Sequence, residues 1–321
     1  MKLKALYEAA VAAGMSHDPR GDQEVKDQLA ETQRAFDNAS GHKKKWFDLE
    51  SLKNPYADTR ILAGTGEEEV RGVLVGIDMG VGEVVLADRL KERGTTVDLV
   101  WAHHPSGPAL SRLYDVMGMQ AEMLASHGVP ISTAQALTES RSREMERRLM
   151  PGNHTQSADA ARLLGLAMLC THTVADNMVG DFLEKLLAQE KPQRLRDVLD
   201  VLLELPEYKH AMTLGAGPRI ISGNPNRKTG RFMLEMTGGT EGHPDIFTSL
   251  ESSGVNTLVS MHLTEGHLKN AKKHHLNVVI AGHIASDTLG MNLLIDAIEQ
   301  HAGETFETLD TSGFKRFSRR T

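Results

Sequence analysis

The sequence predicts an α/β fold of two lobes preceded by a helical extension. Three observations lead there. From Arg71 onward, short apolar runs alternate with longer segments of helical spacing. The same alternation restarts after the proline-marked stretch Leu205-Pro206-Glu207, so the lobe boundary is expected near 205–212. Residues 1–70 lack the alternation and read as helices and polar links. The expected organisation is a helical extension over 1–70, a first α/β lobe with a helical insert over 71–210, and a second α/β lobe over 211–321. The sheets are expected to be mixed or partly parallel.

The elements follow in order. Residues 2–13 carry Leu3, Leu6, Tyr7, Ala10 and Val11 at helical spacing, and 22–40 form a second, more polar helix. His17-Asp18-Pro19-Arg20-Gly21 between them is a turn, and 41–70 is polar, broken at Asn54-Pro55 and Gly64-Thr65-Gly66. Gly72–Ile77 is a strand ending at Asp78. A helix over 82–93 stops at Gly94, and 97–104 is the next strand. A helix over 109–127 closes at Gly128 and leads to a short strand at 129–132. Helices over 134–150 and 156–164 flank the breaker Pro151-Gly152-Asn153. A strand at 166–171 feeds a helix over 175–189, and a charged helix covers 192–204. In the second block, strands are expected at 211–214, 231–236, 256–261 and 277–281, with helices at 244–252, 266–275 and 287–300.

Composition narrows the function. A chain of 321 residues with 40% hydrophobic content builds a sizeable core, and 4% aromatics leaves its packing to aliphatic and Met side chains. The net charge of -7 argues against a nucleic-acid partner. Lys43-Lys44-Lys45 and the tail cations Lys315, Arg316, Arg319 and Arg320 read as solvated charge. The lone Cys170 follows an apolar run and reads as a buried small hydrophobe in a reducing, cytoplasmic setting. The charged N-terminal helix is unlike a signal peptide, and no apolar run approaches the ~20 residues of a membrane span.

Chemistry concentrates at strand ends. Val97-Asp-Leu-Val-Trp-Ala-His103-His104-Pro105 reads as a buried strand that stops at a histidine pair. Pro105 turns His104 away from helical geometry, so both imidazoles can serve one site where the strand gives way. Ligands of open α/β sheets bind outside such carboxyl ends. Two further clusters share the setting: His172-Thr-Val-Ala-Asp176 and Gly282-His283-Ile-Ala-Ser-Asp287, each directly after an apolar strand. A helix that begins early puts each His and Asp on one face; one that begins at Ser286 makes that residue the N-cap and Asp287 a first-turn charge. Four His and two Asp suit Zn, Mn, Fe, Co or Ni, and exceed the roughly three protein ligands of one catalytic zinc. Two divalent ions per chain are therefore expected, a set that supports hydrolysis. Singly, each cluster also has a structural reading, as core histidines or helix caps.

In this order the motifs resemble the NIF-three-like family (NGG-interacting factor three), also described as GTP cyclohydrolase 1 type 2. The family pattern is a strand ending in His-His-Pro, a later His-Thr-x-x-Asp, and a Gly-His-x-x-Ser-Glu after an apolar strand. Here these are His103-His104-Pro105, His172-Thr173-Val174-Ala175-Asp176, and Gly282-His283-Ile284-Ala285-Ser286-Asp287. Met236-Thr-Gly-Gly-Thr-Glu-Gly242 matches the family's glycine-rich turn, and the resemblance covers residues 71–302. It implies a dinuclear metal site between the two lobes and assembly as a homohexamer. It also implies His103, His104, Asp176, His283 and Asp287 as ligands, with His172 a ligand or close partner. The chain departs from the pattern in three places. Asp287 replaces Glu, Thr264-Glu265-Gly266 stands for Thr-Gly-Glu, and helix 134–164 is extra. The long regulatory insertion of some members is missing.

Other groups read plainly. Gly238-Gly239-Thr240-Glu241-Gly242 lacks a P-loop Lys and reads as a turn. Glu265 reads as a helix-start residue, and His262, His267, His274 and His275 as surface or interface residues, with His267 the one to watch. Ser106 and Asn177 adjoin the proposed ligands. The expected function is a metal-dependent hydrolase of a small-molecule substrate, with phosphoester and amide or amidine bonds equally open. The alternative is a non-catalytic metal-binding scaffold or regulator in which 1–70 is a docking element. An extension folded across the metal mouth would favour the second.

Overall fold

The computed structural model describes residues 1–320. Helix α1 (Leu3–Ser16) buries the apolar stripe that its spacing promised, whereas α2 (Asp22–Asn38) buries only Val25. Helix α3 (Gly41–Lys45) and a 3-10 turn at Leu49–Leu52 follow. The polar stretch then departs from expectation, because Thr59–Ala63 is a strand, β1. Its charge hid it. Arg60 is buried, and its guanidinium donates to Tyr56 O at 2.7 Å and Thr59 O at 2.8 Å.

Strand β2 (Gly72–Gly76), helix α4 (Val81–Glu92) and strand β3 (Leu99–Ala102) lie where expected. The single helix expected over 109–127 is three pieces, α5 (Gly107–Ser111), α6 (Leu113–Val116) and α7 (Met119–Ser126). The expected strand at 129–132 is absent. Pro130, with φ fixed near its helical value, is the N-cap of α8 (Ile131–Leu149) instead. Helix α9 (Gln156–Leu163), strand β4 (Ala167–Thr171) and helices α10 (Thr173–Glu190) and α11 (Leu195–Leu202) follow. The strand expected at 211–214 is the end of α12 (Pro206–Thr213), which Pro206 starts at its first turn. Strand β5 (Arg219–Ser222) takes its place. Strand β6 (Phe232–Glu235), helix α13 (Ile246–Ser252), strand β7 (Thr257–Ser260), helix α14 (Glu265–Lys273), strand β8 (Asn277–Ile280), helix α15 (His283–Ala302) and strand β9 (Glu307–Asp310) complete the chain.

Two mixed sheets result, ordered β1-β4-β3-β2-β9 and β5-β8-β7-β6. In the first, β1 is antiparallel to β4 and the other pairs are parallel. In the second, β5 is antiparallel to β8 and the other pairs are parallel. The first sheet draws a strand from each expected segment: β1 from 1–70, β9 from 211–321, and the rest from 71–210. Helices α10 and α15 lie between the sheets and serve both cores. Val174, Ala175 and Met178 pack with β2 and β3, while Val179, Leu183 and Leu187 pack with β7 and β8. Helices α4 and α9 cover the outer face of the first sheet. Residues of α7, α8, α13 and α14 cover the outer face of the second.

Lys315 of the tail is exposed as expected, but the tail arginines are not merely solvated charge. Arg319 makes two 2.7 Å bonds to the buried Glu207, and Arg316 and Arg320 pair with the buried Glu299. Among the described residues, no helix is long and apolar enough to cross a membrane.

Candidate metal centre

Three strand ends build the site. Past β3 the backbone stays on the ladder for two more residues, His103 N donating to Gly76 O at 3.0 Å and His104 N to Ile77 O at 2.9 Å. His172 caps α10 and Asp176 lies in its first turn. His283 is the first residue of α15 and Asp287 follows one turn later. Both helices begin early, so each His–Asp pair shares a face. Ser286 is therefore inside α15, where its Oγ donates back to Gly282 O at 2.7 Å, and the N-cap is Gly282 at φ 111°. Helices α10 and α15 touch at Gly290, where an added Cβ would stand 2.5 Å from Ala175 O. Only glycine permits that approach, and it sets Asp176 beside Asp287.

The six residues named from the sequence converge. His103 Nε2 lies 3.5 Å from Asp176 Oδ1 and 3.6 Å from Asp287 Oδ1. His104 Nε2 and His283 Nε2 lie 3.4 and 3.5 Å from Asp287 Oδ2. His172 Nε2 is 3.8 Å from Asp176 Oδ2. None of these is a hydrogen bond. His103 Nε2, Asp176 Oδ1 and both oxygens of Asp287 are buried without any partner. Such orphaned atoms are costly in a protein interior. Ligands at about 2.1 Å around a tetrahedral ion stand ~3.4 Å from one another, which matches the spacing found. His103, His104 and His172, then His104, His283 and Asp287, then His103, Asp176 and Asp287, each form a triad that could hold a metal ion.

The outer nitrogens orient the rings. His103 Nδ1 bonds Thr171 O at 3.2 Å, His104 Nδ1 bonds Asp78 Oδ1 at 2.7 Å, and His172 Nδ1 bonds Asp58 Oδ2 at 2.8 Å. Each acceptor takes a hydrogen bond from Nδ1, so that the inward Nε2 is the nitrogen left to carry a lone pair when a metal binds. Thr173 Oγ1 donates to the same Asp58 oxygen at 2.6 Å and fixes it. Burial holds the His103 imidazole well below its ordinary pKa. Burial also pushes the Asp176 carboxyl up, to about 8. For His172 burial acts downward, but the Asp176 and Asp58 charges outweigh it and raise the imidazole to about 9. Burial opposes the charge on Asp287 too, yet the surrounding imidazoles of His103, His104 and His283 keep its carboxyl low.

A small cleft of about 50 Å³ opens beside these atoms, walled across from them by Glu235, Thr237, Thr240, Glu241, Ser260 and His262. His262 is exposed, as its sequence context implied, but it stands at the rim of this site. Its ring lies 4.6 Å from that of His283, and Nδ1 bonds the buried Glu241 at 2.9 Å. The one signal for it is position, directly past a strand end as in His103-His104. His267 is buried and bonds Gly242 O at 2.9 Å, supporting the same wall. Glu265 is an exposed helix-start residue. Asn177 is buried behind the site and Ser106 caps α5. Cys170 is buried and its thiol is pushed up to about 12, so it is unreactive. Asp58 and Gly290 were not legible at all, since their roles arise from contacts far along the chain.

No family model and no curated protein matches the sequence. Solved structures do. A NIF3 superfamily protein from Sphaerobacter thermophilus superposes with a TM-score of 0.69 at 23% identity, covering 91% of this chain and 98% of its own. Reduced HcgD from Methanocaldococcus jannaschii gives 0.48 at 14% identity, covering 78% and 88%. TTHA1606 from Thermus thermophilus gives 0.45 at 17% identity, covering 90% and 97%. With its two mixed sheets on either side of α10 and α15, this chain has the fold of the Sphaerobacter thermophilus NIF3 superfamily protein.

Proposed function

We propose that the protein is a metal-dependent hydrolase that holds two divalent ions between its sheets. The observation that carries this reading is the set of buried, unpartnered atoms on His103, Asp176 and Asp287, spaced as ligands are spaced. Asp287 would bridge. Oδ1 sides with His103 and Asp176, and Oδ2 with His104 and His283. His172 stands beside His103 and His104. The donor set of imidazole and carboxylate suits Zn, Mn, Fe, Co or Ni. When bound, such ions supply Lewis acidity toward a substrate oxygen and acidify water at neutral pH.

The chain's own residues do the rest. Asp58, Asp78 and Thr171 O aim the imidazoles before any ion arrives, which lowers the cost of assembling the site. Glu241 holds a proton on His262 Nδ1 and raises that imidazole's pKa through their hydrogen bond, keeping a donor at the rim. Thr237, Thr240 and Ser260 offer hydroxyls for orientation. Among the described residues lining the cleft there is no Lys or Arg.

No residue of 1–70 lines the cleft, and Asp58 acts from behind His172. The mouth is not covered by the extension, which favours turnover over the scaffold reading. Homohexamer assembly, which rests on the sequence resemblance, and a cytoplasmic location, which rests on the lone Cys170, belong to the same proposal. The test is His103→Ala combined with His283→Ala. The double variant is expected to keep its circular dichroism and lose bound metal; full metal occupancy would sink the assignment.

A further inference from the structure

The glycine-rich segment after β6 and the inserted helix α8 have no part in holding metal, yet they meet beside the cleft. Residues 237–242 contribute Thr237, Gly239, Thr240 and Glu241 to its wall. Besides His267, three side chains from α7, α8 and α10 hold this segment. Gln120 on α7, buried, donates through Nε2 to Gly238 O at 2.8 Å and to Thr240 O at 2.6 Å. Arg141 on α8, also buried, donates through Nε to Glu241 O at 3.1 Å. Asn177 on α10 accepts from Thr237 Oγ1 at 2.7 Å, while its Nδ2 donates to Gly14 O at 3.1 Å and to the Tyr56 hydroxyl at 3.2 Å. The seat is close. Gly238 and Gly239 have φ of 104° and 85°, and a Cβ on Gly238 would stand 2.8 Å from Gln120 Cγ. Three of the segment's carbonyls thus bond side chains of α7 and α8, and its one hydroxyl so bound is held by α10.

We infer that Gln120, Arg141 and Asn177 are positioning residues that clasp 237–242 and so set the size limit of the cleft. The inference rests on the reading of this cleft as the substrate pocket. The clasped wall borders a small cleft of about 50 Å³, so the distance it keeps from the His and Asp side chains opposite sets how bulky a group can enter. It also gives α8 a task, since the helix that the sequence marked as extra supplies one of the three holds.

Two variants of the full chain test it. Gln120→Glu keeps the shape of the side chain but sets a carboxylate against two carbonyls. Gly238→Ala drives a methyl into Gln120. Each is loaded with Mn²⁺ beside the wild type, and metal content is measured by elemental analysis. Hydrogen exchange is followed over 236–243 and over β3 and β4. Calorimetry compares acetohydroxamate with octanohydroxamate, which share a chelating head and differ in the tail. Both variants are expected to keep wild-type metal content and wild-type exchange in β3 and β4. Exchange over 237–242 is expected to rise about tenfold or more, and the preference for acetohydroxamate to fall about tenfold. An unchanged segment or an unchanged preference overturns the inference. A uniform rise across the chain also overturns it, because that marks a merely structural role. Failure of Mn²⁺-treated wild type to bind acetohydroxamate contradicts the metal reading instead, and the local exchange then decides the clasp by itself.

Discussion

At the scale of single residues, the site is a set of charges arranged for something other than one another. Asp176 is buried, and its Oδ1 has no donor. Burial raises its carboxyl to about 8, against an ordinary value of 3.8. A native-state pKa above the unfolded one means that stability of the metal-free protein falls as pH rises through that window. Asp176→Asn removes the penalty and also a ligand. It is expected to raise the melting temperature of the metal-free protein at pH 7 by about 2–4 °C while lowering metal content, as calorimetry and elemental analysis would record. A lower melting temperature would count against the account. Asp58 acts only through His172, so Asp58→Asn should weaken metal binding about 10–100-fold without changing the fold, a shift that competitive chelator titration measures.

The six clustered residues were legible because each pair is contiguous or one helical turn apart in the sequence. His103 and His104 abut a proline, and His172–Asp176 and His283–Asp287 each open a helix. Asp58 was not legible because it meets His172 across 114 positions. His262 was hidden among neighbours that read as a surface helix, and its pairing with Glu241 depends on a loop 21 positions earlier.

At the scale of elements, what matters is how closely α10 and α15 pass. Gly290 faces Ala175 O, and an alanine there would place its Cβ at 2.5 Å. Gly290→Ala should cost about 1–3 kcal/mol by overpacking and should spread Asp176 from Asp287. Urea unfolding reads the first effect, and metal titration should show reduced affinity as the second. Unchanged affinity would mean that the helix crossing does not set the site. Two of the strands missed from sequence share one cause. Strands β1 and β5 are antiparallel edge strands carrying Arg60 and Arg219, and each has a register irregularity, so neither shows an apolar alternation. The expected strands at 129–132 and 211–214 failed because Pro130 and Pro206 start helices there.

At the scale of the whole molecule, the two sheets repeat one plan. Each has an antiparallel edge strand followed by a run of parallel strands, and β4 and β8 occupy the same place in the order. Each of these two strands feeds a central helix that opens with His and carries Asp a turn later. The sequence shows no repeat, because the plan is held by topology and not by residue identity. The tail closes the molecule by pairing Arg319 with Glu207 of α12, whose carboxylate is buried. Arg319→Ala leaves that charge without its cation and should cost about 3 kcal/mol in urea unfolding; a loss within error would show the strap to be dispensable. The most direct measurement is the metal content of protein purified without a tag or chelator, determined by elemental analysis. About two transition-metal ions per chain is the expected result, in keeping with the proposed dinuclear site. No bound ion, and no uptake on reconstitution with Zn²⁺ or Mn²⁺, would contradict the central claim.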